Sequence, residues 1–257
     1  MVSIITINYN NVLGLEKTIQ SVISQTYNNY EFIVVDGAST DGSVALLEHY
    51  KAYIHCSISE KDAGIYHAMN KGIKMAKGDY LLFLNSGDVL TSASALIDFV
   101  DHPLFKGDII YGDYQFENGE KVYPDTLPSN YFMKTSLPHQ STFFNRRVFE
   151  LMGPYDETYQ IGADRAFFIQ CFESKKITFQ HIPYFLTLFD LSGVSNNSAY
   201  LKKKETEDEQ MLFQFYGTAY TNYKEEVRKN NQIKKAQRNS LKGILKRIKN
   251  RLILLCR

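Results

Sequence analysis

The sequence predicts an α/β protein: a Rossmann-like, mostly parallel sheet flanked by helices, with a C-terminal helical extension. Three observations carry this. Over the first hundred residues, short apolar runs alternate with stretches of helical periodicity. Several of those runs end in a polar corner, two of them containing glycine, where chain reversal and ligand contact are expected. From about Leu201 the chain reads as helical throughout. Its 257 residues, 44% hydrophobic and 22% charged, suffice for one sizeable domain and an appendage.

The elements follow in order. Residues 2–7 form the first strand and 12–25 a helix. The second strand, 32–35, runs into Asp36-Gly37-Ala38-Ser39-Thr40-Asp41-Gly42-Ser43, where Ser39, Thr40 and Asp41 read as caps for the next helix. A third strand covers 53–58, and a helix covers 65–76 with apolar residues at 65, 68, 69, 72/73 and 76. The fourth strand, 80–84, ends at Asn85-Ser86-Gly87-Asp88. This rhythm demands parallel strands joined by right-handed crossovers. Beyond residue 107 the style changes: a β-hairpin turns at Asn118-Gly119, and a strand at 141–144 follows Pro138-His139-Gln140. A helix over 165–174 and apolar runs at 177–182 and 184–189 complete the body. The expected organisation is one α/β domain over 1–200, with halves 1–106 and 107–200, and an extension over 201–257.

The net charge of +1 conceals an asymmetry. Residues 228–257 hold eleven Lys and Arg and no acid, which leaves 18 basic residues against 28 acidic ones in 1–227. The body is not a nucleic-acid surface by charge, whereas the tail is built to meet something anionic. The three cysteines form no CxxC pair, which points to a reducing compartment. No signal peptide is apparent, and no apolar run approaches the roughly 20 residues that span a bilayer. The expected location is cytoplasmic.

Parallel strands place their carboxyl ends on one side of a sheet, where ligands of open α/β folds bind. Thr6, Asn8 and Tyr9 end the first strand and Asp36 the second; Glu60, Lys61 and Asp62 follow the third; Asn85 and Asp88 follow the fourth. Four polar clusters therefore converge on one crevice. A carboxylate such as Asp88, beside the chain-reversing Gly87, suits a hard divalent cation held against phosphate oxygens. GxGxxG is absent after the first strand, which argues against a dinucleotide-binding dehydrogenase. A nucleotidyltransferase would want a Gly-rich, basic loop there, also absent.

The strand-Asn-Tyr-Asn opening, Val-Asp-Gly-Ala-Ser-Thr-Asp-Gly-Ser at 35–43, Asp-Ala-Gly-Ile-Tyr-His-Ala-Met-Asn-Lys-Gly at 62–72 and Asn-Ser-Gly-Asp at 85–88 resemble glycosyltransferase family 2 over roughly residues 1–195. The resemblance implies an inverting, nucleotide-sugar-dependent enzyme of the GT-A fold, a hexosyl- or N-acetylhexosaminyltransferase with Mn2+ or Mg2+ as cofactor and UDP favoured over GDP as carrier. It implies that Thr6, Asn8 and Tyr9 lie against the nucleoside and that Asp36 accepts a hydrogen bond from the base. Lys61 and Asp62 would border the nucleotide, with Asn70 and Lys71 opening the rest of the cleft. Asp88 would be the direct metal contact. Asn85 stands where the family's DxD signature begins with Asp, which lowers the site's negative charge. Asp164, in Ile-Gly-Ala-Asp-Arg-Ala, would be the catalytic base, its other reading being a helix N-cap. Asp156 reads as a turn residue. His139 and Gln140 would border the acceptor or donor-sugar pocket, and Ser192-Gly193-Val194-Ser195 matches the family's late Gly-rich loop. A non-catalytic nucleotide-sugar-binding regulatory partner is the competing reading.

In the tail, Leu241, Ile244, Leu245, Ile248, Leu252 and Leu255 share one helical face, with Lys and Arg around them. That pattern suits a helix lying on an anionic membrane surface, or alternatively self-association into a homo-oligomer. Nucleic acid is set aside, because no aromatic follows Tyr223 to stack on bases. The implied acceptor is a glycan or polyprenyl-linked lipid, at the inner face of the plasma membrane.

Overall fold

The computed structural model describes residues 1–190, 198–239 and Gly243. The chain divides into two compact units, Met1–Asp208 and Glu209–Arg257.

In the first unit, β1 (Val2–Asn8), α1 (Val12–Ile23), β2 (Tyr30–Asp36), α2 (Ser43–His49), β3 (Cys56–Ser59), α3 (Ile65–Met75) and β4 (Tyr80–Phe83) alternate as the sequence predicts. The third strand is shorter and later than expected, because residues 51–53 turn to let Tyr53 N–H bond the Tyr50 carbonyl at 2.9 Å. Then come β5 (Val89–Leu90), α4 (Ala95–Val100), β6 (Ile109–Phe116), β7 (Gly119–Lys121), α5 (Tyr131–Lys134), a 3-10 turn η1 (His139–Ser141), β8 (Thr142–Asn145), α6 (Arg146–Met152), α7 (Ala163–Ser174) and β9 (Phe179–Leu188). The two apolar runs expected at 177–189 are one strand, which passes through Pro183.

Among the described residues the sheet runs β3-β2-β1-β4-β8-β6-β9-β5, with β7 paired to β6. β3, β2, β1 and β4 are mutually parallel; β8 enters antiparallel between β4 and β6, and β9 returns parallel to β6. Both faces of β2, β1 and β4 are covered, which is why these strands are buried at nearly every position, whereas the edge strand β3 is mostly exposed. Ile4, Phe32, Val34 and Leu82 pack on Leu15, Ile19 and Val22 of α1, the i, i+4, i+7 face of that helix. On the other face Ile5 meets α3 at Gly72, where a Cβ would come within 2.4 Å of Ile5 Cγ2. Phe83 anchors an aromatic cluster there, its ring centre 4.8 Å from His139, 5.7 Å from Tyr155 and 5.9 Å from Phe144.

The first unit ends at Asp208, eight residues beyond the boundary expected from the sequence. The reason is local: α8 (Ser198–Tyr216) carries Glu207 and Asp208, which bond to residues 160–162 and Arg165. In the second unit, Gly217 at φ +50° joins α8 to α9 (Thr218–Asn239). Tyr220 donates to Glu209 at 3.1 Å, and Lys224 pairs with Glu209 while lying 4.7 Å over the Tyr220 ring. Beyond Tyr223, α9 is exposed as far as Gln237. Most of the basic amphipathic stretch, residues 240–257 apart from Gly243, lies outside the described residues, as do residues 191–197 with the segment Ser192-Gly193-Val194-Ser195.

Candidate active site

The site is built at the carboxyl edge of the parallel strands, where register aligns Asn8 with Asp36 and Asp36 with Ser59. Asp36 is fully buried, and its carboxylate accepts four hydrogen bonds. Oδ1 takes Asn8 Nδ2 at 2.8 Å and Ser39 Oγ at 2.6 Å; Oδ2 takes the Ser39 N–H at 2.9 Å and Ser59 Oγ at 2.6 Å. Burial alone would raise its pKa, but the hydrogen bonds from Ser39, Ser59 and Asn8 outweigh it and hold Asp36 below the usual carboxylate range. Those four bonds make Asp36 the anchor of the turn at 37–43.

Thr6 and Asn8 are likewise structural here. Buried Thr6 donates to the Leu84 carbonyl at 2.7 Å. Asn8, also buried, bonds Asp36 through Nδ2 and accepts from Ser86 Oγ at 2.9 Å, so it ties three strand ends together. Of the three residues expected against a nucleoside, Tyr9 alone is open, at 70% exposed. It lies beside Gly37, where an added Cβ would stand 3.1 Å from Tyr9 Cδ2 and 3.3 Å from Asp62 Oδ2. Asp41 accepts the Ser43 N–H at 3.1 Å and the Val12 N–H at 2.7 Å, but the N-cap of α2 is Gly42 rather than Asp41 as the sequence suggested.

At the third corner, Asp62 Oδ1 pairs with Lys71 Nζ at 2.6 Å, and Lys71 also reaches Glu60 at 2.7 Å. Asp62 Oδ2 is buried without a hydrogen-bond partner. A buried acceptor left unpaired costs free energy that a hydrogen-bond donor would recover. The Lys61 side chain is exposed, so Lys71 is the cation built into this corner. Asn70 is occupied structurally, exchanging bonds of 2.9 Å each way with the Tyr155 backbone.

The 85–88 corner is clamped by α1. Gly87 N–H bonds the Gly14 carbonyl at 3.1 Å and Thr18 Oγ1 at 3.0 Å, and Thr18 Oγ1 reaches the Asp88 carbonyl at 2.8 Å. Gly87 needs its φ of +109°, and a Cβ there would fall 2.4 Å from Asp190 Oδ2. Asp88 is buried, with Oδ1 accepting the Asp190 N–H at 3.0 Å. Burial pushes the Asp88 carboxyl up to about 7; the Asp190 N–H opposes this and the Asp190 charge adds to it. Asn85 Oδ1 is buried without a hydrogen-bond partner. Among the described residues no cluster of three His, Cys, Asp or Glu is placed to hold a metal. Asp88, the neighbouring Asp190 and the orphaned Asn85 oxygen are nonetheless all hard oxygen donors. This set fits a Mg2+- or Mn2+-type ion completed by substrate phosphates.

Asp164 sits in the first turn of α7. The N-cap is Gly162, so Asp164 is not the cap. Its Oδ1 lies 2.9 Å from the hydroxyl of Tyr66, which is also 2.6 Å from the Ile161 carbonyl, so the single phenol proton is shared between them. Burial, then the Asp164 charge, hold Tyr66 well above the ordinary tyrosine value, so it stays a donor. Tyr66 stands four residues past Asp62 on the first turn of α3; one helix start therefore serves both carboxylates.

His139 and Gln140 do not line an open pocket. Both are buried in η1, and His139 Nε2 lies 2.9 Å from the Tyr155 hydroxyl. Burial lowers the His139 pKa, against the opposing Asp164 charge, so it is a neutral, satisfied group behind the carboxylate. The sequence reading missed Tyr66, Tyr155 and Asp190. Tyr66 carried a signal, since it falls off the apolar stripe of its helix within the 62–72 motif.

This edge, with acidic groups gathered over a twisted α/β sheet, belongs to the class of GT-A glycosyltransferases. Residues 3–170 match the family described as Glycosyl transferase family 2, and the chain belongs to that family. It is 33% identical over 205 residues to an uncharacterized glycosyltransferase of Mycobacterium tuberculosis, covering 76% of this chain and 77% of that one. It is 30% identical over 210 residues to a PGL/p-HBAD biosynthesis glycosyltransferase of Mycobacterium bovis, covering 76% and 79%. Its fold is similar to S. aureus TarS 1-349 in complex with UDP-GlcNAc, with a TM-score of 0.65 at 18% identity over 86% of this chain and 72% of that one. It spans 60% of the TarS 1-349 chain solved with UDP and 44% of the chain in a further TarS structure. The protein is a glycosyltransferase.

Proposed function

We propose that this glycosyltransferase moves a hexosyl or N-acetylhexosaminyl group from a nucleoside-diphosphate sugar to a hydroxyl of a glycan or lipid-linked acceptor, with inversion. The observation that carries the reading is the Tyr66 bridge, which brings Asp164 to the start of the same helix whose approach holds Asp62. In this reading Asp164 takes the proton of the acceptor hydroxyl as its oxygen bonds to the anomeric carbon. The bond from that carbon to the diphosphate breaks on the opposite face, and the nucleoside diphosphate leaves. Tyr66 orients the carboxylate by its hydrogen bond, and neutral His139 and Tyr155 pack behind it.

Tyr9 and the unpaired Asp62 oxygen would meet the nucleotide, with uridine the first carrier to test and guanosine the second. Asp88, Asn85 and Asp190 would hold Mn2+ or Mg2+, which when bound supplies positive charge against the departing diphosphate. The curated relatives and the TarS and PcManGT neighbours, the latter a mannosyltransferase from Pyrobaculum calidifontis in complex with GDP-Man and Mn2+, support the donor class. Placement at the inner face of the plasma membrane through residues 228–257 rests on the tail's charge and apolar stripe; no helix of the described residues is long and apolar enough to cross a bilayer.

Asp164→Asn tests the assignment. The expected result is loss of transfer from labelled sugar nucleotides with Mn2+, while donor affinity measured by calorimetry changes less than about threefold. A parallel loss of donor affinity would show that the base has been misassigned.

A further inference from the structure

Beyond the residues that face substrate, the loop carrying Asp164 is gripped from a distant helix. Glu207 on α8 is 9% exposed, and its carboxylate accepts three successive backbone N–H groups. Oε1 takes Gln160 at 3.0 Å, while Oε2 takes Ile161 at 2.9 Å and Gly162 at 3.2 Å. The last of these donors is the N-cap Gly162, at a helix start that leaves N–H groups without intrahelical partners, and the other two are the residues just before it. Their own segment supplies none: the N-cap Gly162 has no side chain. Charge-assisted bonds of this kind are roughly twice as strong as neutral ones. The same segment is held from its other side by Tyr66, which reaches the Ile161 carbonyl at 2.6 Å. The Ile161 residue is thus pinned through its N–H by Glu207 and through its C=O by Tyr66, three positions before Asp164. The next residue, Arg165, pairs with Asp208 at 2.8 Å and donates to the Phe132 carbonyl at 2.7 Å.

We infer that Glu207 is a positioning residue for the transfer reaction: it sets the height and direction of Asp164 by capping the start of α7 from α8. The inference rests on the reading of Asp164 as the base. A carboxylate suits the task because it only accepts, whereas an amide must turn its NH2 toward at least one of the three N–H groups. The first turns of α8 thereby belong to the catalytic unit, and a helix that looks like an appendage in the sequence completes the site.

The test is Glu207→Gln, with Glu207→Ala as the stronger variant and Glu205→Gln, an exposed neighbour on α8, as control. Misplacing a catalytic group by about 1 Å costs on the order of 100-fold. Glu207→Gln should therefore lower kcat by about 10- to 100-fold per folded molecule. Donor KM and the calorimetric affinity for UDP or GDP with Mn2+ should stay within about threefold. Amide exchange at residues 160–162 should quicken, and Glu205→Gln should match the parent. A fall in activity that merely follows the folded fraction, or a kcat unchanged in Glu207→Gln, overturns the inference while leaving the function intact. Absence of transfer by the parent protein with every donor overturns the function and this assignment together. If Glu207→Ala does not fold, Glu207→Gln alone decides.

Discussion

Asp36 and Asp88 show how the same side chain takes opposite characters from its surroundings. Asp36 gains four donors, and its folded pKa lies below the usual range; Asp88 is raised by burial first and then by the neighbouring Asp190 charge, against the backbone N–H groups that oppose the rise. The sign of the linkage for Asp36 follows. A depressed folded pKa contributes stability that is fully present above the unfolded value of about 3.9 and is lost as pH falls through the folded value. Asp36→Asn should lower stability at pH 7 by about 1–3 kcal/mol in urea melts, because buried serine donors lose a charged acceptor. The loss relative to the parent should shrink below about pH 4. An equal loss at pH 7 and pH 3 would contradict the account. Asp88→Ala should leave folding nearly intact and weaken donor binding in the presence of Mn2+, by about tenfold or more in calorimetry, and the metal-dependent increment of affinity should disappear with it.

At the scale of elements, close approaches decide where strands and helices meet. Gly78 precedes β4, and a Cβ there would stand 2.5 Å from the Ser3 backbone nitrogen. Because the obstacle is backbone, it cannot rotate away. Buried Glu31 gathers the same junction, accepting Ser3 Oγ at 2.5 Å and the Gly78 N–H at 3.1 Å. Gly78→Ala should cost about 1–3 kcal/mol by overpacking, read as a lowered Tm. The β6–β7 hairpin, whose turn falls at 117–118, one residue earlier than the expected Asn118-Gly119, and the parallel β-α alternation were legible because turn chemistry and apolar period are local. The third strand was misjudged at its start because Tyr53, Ile54 and His55 read as strand, yet Tyr53 closes a local turn on Tyr50, and although His55 already bonds Phe32 the ladder begins only at Cys56. The helix expected from residue 165 begins two residues earlier, at Ala163, which puts Asp164 in its first turn; Glu207, a carboxylate from 45 residues away, bonds the N-cap Gly162.

Across the whole molecule, charge separates along the chain. The body is acidic and the last thirty residues carry only positive charge. If the tail meets an anionic membrane at about 1 kcal/mol per basic residue near the surface, the full protein should sediment with anionic vesicles and not with neutral ones. Binding should weaken as salt shortens the Debye length. Removing residues 228–257 should abolish sedimentation; undiminished binding by the shortened protein would refute this placement.

Sequence by itself determined the α/β rhythm, the four polar strand ends and the candidate carboxylates, because apolar period, glycine turns and capping residues act over a few neighbours. Tertiary structure alone decided which partners each of those carboxylates meets. Asp36 is bonded by Asn8, Ser39 and Ser59, Asp62 keeps one oxygen unpaired, Asp88 is bonded by the Asp190 N–H, and Asp164 is held by Tyr66. Most of those partners lie 23 to 102 residues away, and hydrogen-bond saturation is a property of what folds against a group, not of the group's place in the chain.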